Sequence, residues 1–154
     1  MSLLTREEIK KVASSCHDQG KRIVFTNGCF DVLHPGHFKL LRKAAQEGDI
    51  LFVGINSDGS VKNLKGPQRP IFSEDERASM VDQIRWVDYV VVFTEDTATN
   101  LLKEIKPQVY VKGGDYARQV LPERKIVDQL GTRLVLIPLL EDYSTTRAID
   151  KMKG

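Results

Sequence analysis

The sequence predicts an α/β protein: a single Rossmann-like, doubly wound, five-stranded parallel sheet in the order 3-2-1-4-5, with helices on both faces. Two observations carry this. Short apolar runs (Ile23-Val24-Phe25, Ile50 to Ile55, Tyr89 to Phe93, Val109-Tyr110-Val111 and Leu134 to Ile137) alternate with longer amphipathic stretches, the signature of repeated strand–helix–strand units. Two of these runs, ILFVGI and YVVVF, are apolar throughout, as a strand buried on both faces must be and a strand with one wet face is not. At 154 residues the chain is sized for one domain, with an N-terminal helix over 1–20 and a core over 21–154.

Taken in order, Thr5-Arg6-Glu7-Glu8 fits a capping box for a helix over 6 to 18, whose Ile9, Val12 and Ala13 form an apolar stripe and which Gly20 ends. The first strand runs into a loop of small and polar residues, Thr26 to Asp31, and a second helix opens at His34-Pro35-Gly36-His37. Phe38, Leu41, Ala44 and Ala45 give that helix a buried face, and Gly48 is placed to terminate it. After the second strand, Asn56 to Phe72 carries two glycines, two prolines and the cations Lys62, Lys65 and Arg69, and reads as a long mobile loop. Ser73 to Glu76 repeats the capping pattern before a third helix with Ala78, Val81 and Ile84 inside. Thr97 is the expected cap of a helix through Ile105, stopped by Pro107. The fourth strand ends in Lys112-Gly113-Gly114-Asp115-Tyr116, a helix over 123 to 130 stops at Gly131, and a last helix starts at Ser144-Thr145-Thr146-Arg147.

Composition narrows the function. The 23 basic and 21 acidic residues are interspersed and leave a net charge of +2, without the one-sided basic face that a nucleic-acid partner requires. No apolar run nears the ~20 residues of a membrane span, and MSLLTREEIKK lacks the apolar centre of a signal peptide. The expected compartment is therefore the cytoplasm, with no membrane partner. Cys16 and Cys29 fall in a helix and in the first loop, so no structural disulfide is expected. A small anionic ligand needs only a few local cations and stays compatible with this balance.

Open parallel sheets bind ligands beyond the carboxyl ends of their strands, where strand order reverses. In the order 3-2-1-4-5 the loops TNGCFD and KGGDY are neighbours there. The first supplies Asn27, Gly28, Cys29, Phe30 and Asp31 and leads to His34 and His37, whose i, i+3 spacing lets both rings reach one side of a helix start. Unpaired N–H groups and the positive end of the helix dipole favour an anion at that start. Pro35 suits an early helical position, and Gly36 permits close approach of a ligand. The plainer alternative is a pair of structural histidines capping a helix. Cys29, Asp31, His34 and His37 can also be drawn as zinc ligands, but no second ligand pair occurs elsewhere. Magnesium brought in by a nucleotide fits better, held by phosphates, water and one or two carboxylates. Neither a Walker A sequence nor G-x-G-x-x-G is present. Ser144, Thr145 and Thr146, followed by Arg147, form either a second anion cradle or an ordinary N-cap. Lys65, Arg69, Arg77 and Arg85 read equally well as solvated charges, whereas Lys112 stands at the carboxyl edge.

Together, GCFDVLHPGH, LKGPQRP, RWVDYV, VKGGDY and YSTT resemble the nucleotidyltransferases with an HxGH motif, from residue 21 to the C-terminus. Among these the wording is most similar to the D-glycero-β-D-manno-heptose 1-phosphate adenylyltransferases. The resemblance implies transfer of an adenylyl group from ATP, accompanied by Mg2+, to the sugar 1-phosphate. The products are ADP-heptose and pyrophosphate, on the route to lipopolysaccharide core. It also implies a homodimer and a separate heptose kinase supplying the acceptor. By the same resemblance His34 and His37 contact the phosphates, with His37 stabilising the transition state, and Lys65 reaches them from a closing loop. Asp31 holds the triphosphate or its magnesium, and Ser144, Thr145 and Thr146 hold the outgoing pyrophosphate. Gly113, Gly114, Asp115 and Tyr116 line base and sugar, and Arg85 lies near substrate phosphate. Asn27, Gly28, Cys29, Phe30 and Lys112 complete the nucleotide-binding set. Leu139 stands where related cytidylyltransferases have arginine, which weighs against a cytidylyl reading, and Asp142 stands where glycine is expected. The alternatives are a cytidylyltransferase acting on glycerol 3-phosphate or another phospho-alcohol, and a non-catalytic nucleotide-binding domain.

Overall fold

The computed structural model describes residues 3–114, 121–138 and 145–153, with backbone alone for 145–147. The elements are β1 (Leu3–Leu4), α1 (Arg6–Asp18), β2 (Ile23–Gly28), α2 (Pro35–Ala45), β3 (Ile50–Asn56), α3 (Asp58–Lys65), α4 (Glu74–Asp82), β4 (Tyr89–Phe93), α5 (Thr99–Ile105), β5 (Val109–Gly113), α6 (Arg124–Leu130), β6 (Arg133–Ile137) and α7 (Thr145–Lys153). The strands form one parallel sheet of six in the order β1-β4-β3-β2-β5-β6. This corrects the expected count of five to six; the strands read from the sequence, β2 to β6, lie within it as β4-β3-β2-β5-β6, with one strand added beside β4. The added strand is β1, which pairs Leu3 with Val90 and Leu4 with Val91 at one edge; two residues are too short a run to show any period.

Alternation along the central strands builds two cores. Ile23 and Phe25 of β2 face a cluster with Ile9, Ala13 and Cys16 of α1 and Leu101, Leu102 and Ile105 of α5. Val24 faces the other, with Leu41 and Ala44 of α2 and Ala78 and Val81 of α4. Each central strand is thus covered twice, which is why its sequence reads as unbroken apolar residues. Helices lie on both sides and β2 sits beside both β3 and β5, so strand order reverses between β2 and β5, the kind of switch point at which open parallel sheets bind ligands.

Thr5 and Glu8 form the expected reciprocal cap of α1, and Ser73 caps α4 by accepting the Glu76 N–H. Other expectations are corrected. The segment 56 to 72 is not a continuous loop, because Ser57 accepts the Ser60 N–H and starts α3. Thr97 does not cap α5; its hydroxyl meets Thr99, and Ala98 occupies the N-cap without a side-chain bond. Phe38 lies outside the buried face of α2, being 39% exposed. Gly48 acts by close approach rather than as a helix cap, since α2 ends at Ala45 with Gln46 as its C-cap and a Cβ on Gly48 would lie 2.7 Å from the Arg22 carbonyl oxygen. The first strand also runs on through Thr26, Asn27 and Gly28, bringing residues expected in a loop to the carboxyl end of the sheet.

Candidate active site

The first turn of α2 is capped by imidazoles. His34, with extended backbone, is the N-cap, and its Nδ1 accepts the Gly36 N–H at 3.1 Å. His37 Nδ1 accepts the His34 N–H in turn, at 3.3 Å, so the two residues complete a reciprocal cap of the kind usually made by Ser or Thr with Glu. A ring nitrogen that accepts a backbone N–H carries no proton, which assigns the proton of each neutral ring to Nε2. The rings stack with centroids 3.8 Å apart, and Phe30 packs on His37 at 5.2 Å. Burial lowers the His34 pKa. Burial, and then the neighbouring His34, lower that of His37 to about 3. Near neutral pH the pair therefore presents N–H dipoles and no net charge.

Cations gather around the loop that precedes this cap. The Cys29 thiol is pushed up by burial, against the opposing pull of Lys65, Arg77, Lys112 and Arg69. Two of these four are committed to carboxylates. Arg69 Nε donates to Asp31 at 3.0 Å, and Arg77 Nη2 to Asp58 at 2.9 Å. Lys65, exposed at the end of α3, and Lys112 have no ion-pair partner among the described residues. Lys112 Nζ donates to the Asn27 backbone carbonyl at 3.0 Å, and burial lowers its pKa, with Glu123 acting in the opposite direction. An ammonium in that position is a ready partner for a ligand anion. Asn27 is also held from its side chain, whose Oδ1 accepts the buried Tyr110 hydroxyl.

Asp31 departs from its expected role. Its side chain is fully buried, and besides Arg69 it accepts the Ile71 and Phe72 N–H groups at 2.8 to 3.0 Å. Both oxygens face protein donors, so the carboxylate clasps the segment before α4 to the loop after β2 and does not fit a role holding triphosphate or magnesium in this conformation. Arg85 also stands apart from the cations around Cys29. It lines a groove with Leu33, Phe38, Met80, Gln83, Ile84 and Trp86, between α2 and the end of α4.

Gly113 ends β5, and Gly114 follows with a φ of 126°, a conformation suited to glycine. Asp115, Tyr116 and Ser144 lie outside the described residues, as do Leu139, Asp142 and the side chains of Thr145, Thr146 and Arg147. The sheet thus brings together Asn27, Gly28, Cys29, Phe30, His34, His37, Lys112 and Gly113 at the carboxyl ends of the adjacent strands β2 and β5.

Sequence reasoning gave Arg77 no special place, yet it is fully buried. Its Nη1 donates to the carbonyls of Cys29 at 2.8 Å and Asn56 at 2.7 Å, its Nε to that of Phe72 at 2.9 Å. One available signal was its position in α4, on the face shared with Ala78 and Val81, where a charged residue has to find partners.

The comparisons agree with this geometry. The cytidylyltransferase-like family matches residues 25–150. A curated relative, the bifunctional protein HldE of Syntrophotalea carbinolica, is 46% identical over 147 residues, covering 96% of this chain and 30% of its own length. The chain therefore spans under a third of that relative. Among solved structures, the lipopolysaccharide core biosynthesis protein from Thermoplasma volcanium is 26% identical with a TM-score of 0.64, over 81% of this chain and all of that one. A pantoate-beta-alanine ligase from Francisella tularensis shares the fold, with a TM-score of 0.69 at 16% identity over 99% of this chain and 77% of its own. With the histidine pair capping the helix after β2 and a family match across most of its length, the chain belongs to the cytidylyltransferase-like family and is an HxGH nucleotidyltransferase.

Proposed function

We propose that this enzyme transfers the adenylyl group of ATP to D-glycero-β-D-manno-heptose 1-phosphate, releasing pyrophosphate and forming ADP-heptose for lipopolysaccharide core. The observation that supports this most directly is the pairing of two neutral Nε2–H imidazoles with Lys112, on the rim where β2 and β5 meet. Among the relatives named above, the lipopolysaccharide core biosynthesis protein supports placing the product on that route.

A sugar phosphate is already an anionic nucleophile at neutral pH, so attack at the α-phosphorus calls for positioning and charge stabilisation rather than a general base. His34 and His37 supply N–H donors to phosphate oxygens, His37 where negative charge grows in the transition state. Lys112 and Lys65 supply positive charge. A magnesium ion brought in with the triphosphate would be held chiefly by the substrate's own phosphates and water, and would offset part of their negative charge. Ser144, Thr145 and Thr146 hold the leaving pyrophosphate, and Gly113 to Tyr116 line base and sugar. In this reading the protein works in the cytoplasm as a homodimer, after a kinase has phosphorylated the heptose.

The test is pyrophosphate release with ATP, CTP and GTP, each against heptose 1-phosphate, glycerol 3-phosphate and a phospho-alcohol. Turnover confined to ATP with the heptose phosphate supports the proposal. Preference for CTP with glycerol 3-phosphate moves the chain to the cytidylyl branch, and saturable binding without turnover defines a nucleotide-binding module.

A further inference from the structure

Arg77 heads the fully buried side chains of the described residues in size, and its guanidinium touches four places that adjoin the candidate site. Nη1 bridges the carbonyls of Cys29, after β2, and Asn56, at the end of β3; Nε reaches the carbonyl of Phe72, before α4; Nη2 reaches Asp58, the first residue of α3. Helix α4 itself does not require such a residue, because an apolar side chain of similar volume would fill the core without the cost of desolvating a charge. What an apolar side chain would not supply is a planar fork of donors matched to acceptors from separate segments.

Those segments carry the groups assigned to substrate. Directly after Cys29, Phe30 holds a φ of +49° while buried, a left-handed conformation that a bulky residue keeps only when its surroundings enforce it. The enforcement is visible on both sides: Arg77 holds the carbonyl before Phe30, and the bonds from Arg69, Ile71 and Phe72 hold the Asp31 side chain after it. The Phe30 ring in turn packs on His37. Through Asp58 the same guanidinium fixes the start of α3, whose last residue is Lys65.

We infer that Arg77 is a positioning residue for the reaction proposed above, setting the histidine cap and the Lys65 helix in register with each other without touching substrate. This rests on the adenylyltransferase reading for its kinetic consequence and on geometry alone for its structural one.

The experiment compares Arg77→Lys, Arg77→Met and Asp58→Ala with the parent enzyme, by steady-state kinetics and by amide hydrogen exchange of the protein without substrate. Arg77→Lys keeps the charge and loses the fork. It is expected to lower kcat on the order of a hundredfold while KM for the nucleotide moves by less than about threefold, as misplacement of a reacting group does. Asp58→Ala removes one of the four contacts and is expected to lower kcat by roughly tenfold. Exchange should quicken in residues 28–37 and 58–65 of each variant and stay at parental rates in β5 and α5. A kcat for Arg77→Lys within about threefold of the parent overturns the inference, as does faster exchange spread evenly over the whole protein. If both Arg77 variants fail to fold, Asp58→Ala decides, and parental kcat there overturns it. Should the parent turn over no substrate pair, the functional reading fails separately, while the exchange pattern still accepts or rejects the positioning role.

Discussion

His34 and His37 direct their Nδ1 atoms at backbone N–H groups of one helix start, so a single cap engages both imidazoles and fixes both as Nε2–H tautomers. A protonated ring would have no acceptor to offer there. Capping and neutrality are thus one property, and both consequences are measurable.

The first is a pH dependence of stability. His37 titrates at about 3 in the folded chain, held down by burial and then by His34, against an ordinary value of 6.5. Protons therefore bind the unfolded chain first as pH falls. The contribution of neutral His37 is complete above pH 6.5 and is lost as pH drops from 6.5 towards 3. One pH unit in this window is worth about 1.4 kcal/mol, or roughly 2 kcal/mol by pH 5. Urea unfolding at pH 7.5 and pH 5 should show that loss in the parent and much less of it in His37→Asn, whose side-chain oxygen can accept the same N–H. Equal losses in both proteins would remove His37 as the source.

The second concerns turnover. His37→Ala removes a preorganised donor and is expected to lower kcat about a hundredfold or more, near 3 kcal/mol, with the fold intact. His37→Gln offers a neutral amide N–H and should recover part of that loss, which a His37→Lys variant should not if an uncharged donor is what the site needs. Near-parental turnover in His37→Ala, measured by pyrophosphate release, would defeat the role given to this ring.

How much of this was legible beforehand follows from where the signal resides. Strands β2 to β5 could be read because burial on both faces writes itself into consecutive residues, as in Phe52 and Val53, which join opposite cores, whereas the edge strand β6 showed as a short apolar run although Leu136 is 36% exposed. Helix α3 was hidden because Gly59, Asn63 and Gly66 look like loop residues and only Ser60 and Val61 are buried in it, Leu64 being 51% exposed. The histidine pair was legible from spacing alone. Arg77 was not, because its main acceptors are backbone carbonyls, which every residue has and which only the tertiary fold brings to one point. Asp31 was hard to read for a related reason: a carboxylate in a polar loop leading to a helix start looks like a metal ligand until its backbone donors, 40 and 41 positions away, are seen.

That contrast makes Asp31 a useful variant. Asp31→Asn should cost about 3 kcal/mol of stability, the scale for disrupting a buried charged pair, since Arg69 and the two N–H groups lose their anion. The magnesium concentration for half-maximal activity should stay where it is in the parent. A large shift in that requirement at unchanged melting temperature would restore Asp31 to the metal.

Lys112 should behave in the opposite sense. With one hydrogen bond, to the Asn27 carbonyl, no ion pair among the described residues, and burial outweighing the attraction of Glu123, its charge costs the ligand-free protein free energy that an anion recovers on binding. Lys112→Met is expected to leave the melting temperature unchanged or higher and to weaken nucleotide triphosphate binding by about tenfold or more, equivalent to 1.4 kcal/mol. Calorimetric titration of ATP checks this; a less stable variant with parental affinity would mark the lysine as a structural donor to β2.

Thr26 offers a test free of the groups proposed to act in catalysis. Its side chain is fully buried on β2, and its hydroxyl has no hydrogen-bond partner among the described residues. Leaving such a group unsatisfied costs about 1 to 3 kcal/mol, and replacing it with an apolar group of the same shape relieves that cost. Thr26→Val is closely isosteric and favourable in a strand. It should therefore raise stability by about 1 kcal/mol in urea unfolding without changing turnover. A loss of stability would instead show that the hydroxyl has a partner, such as an ordered water beneath the α2 cap, and a selective loss of turnover would show that this partner helps to seat the histidine pair.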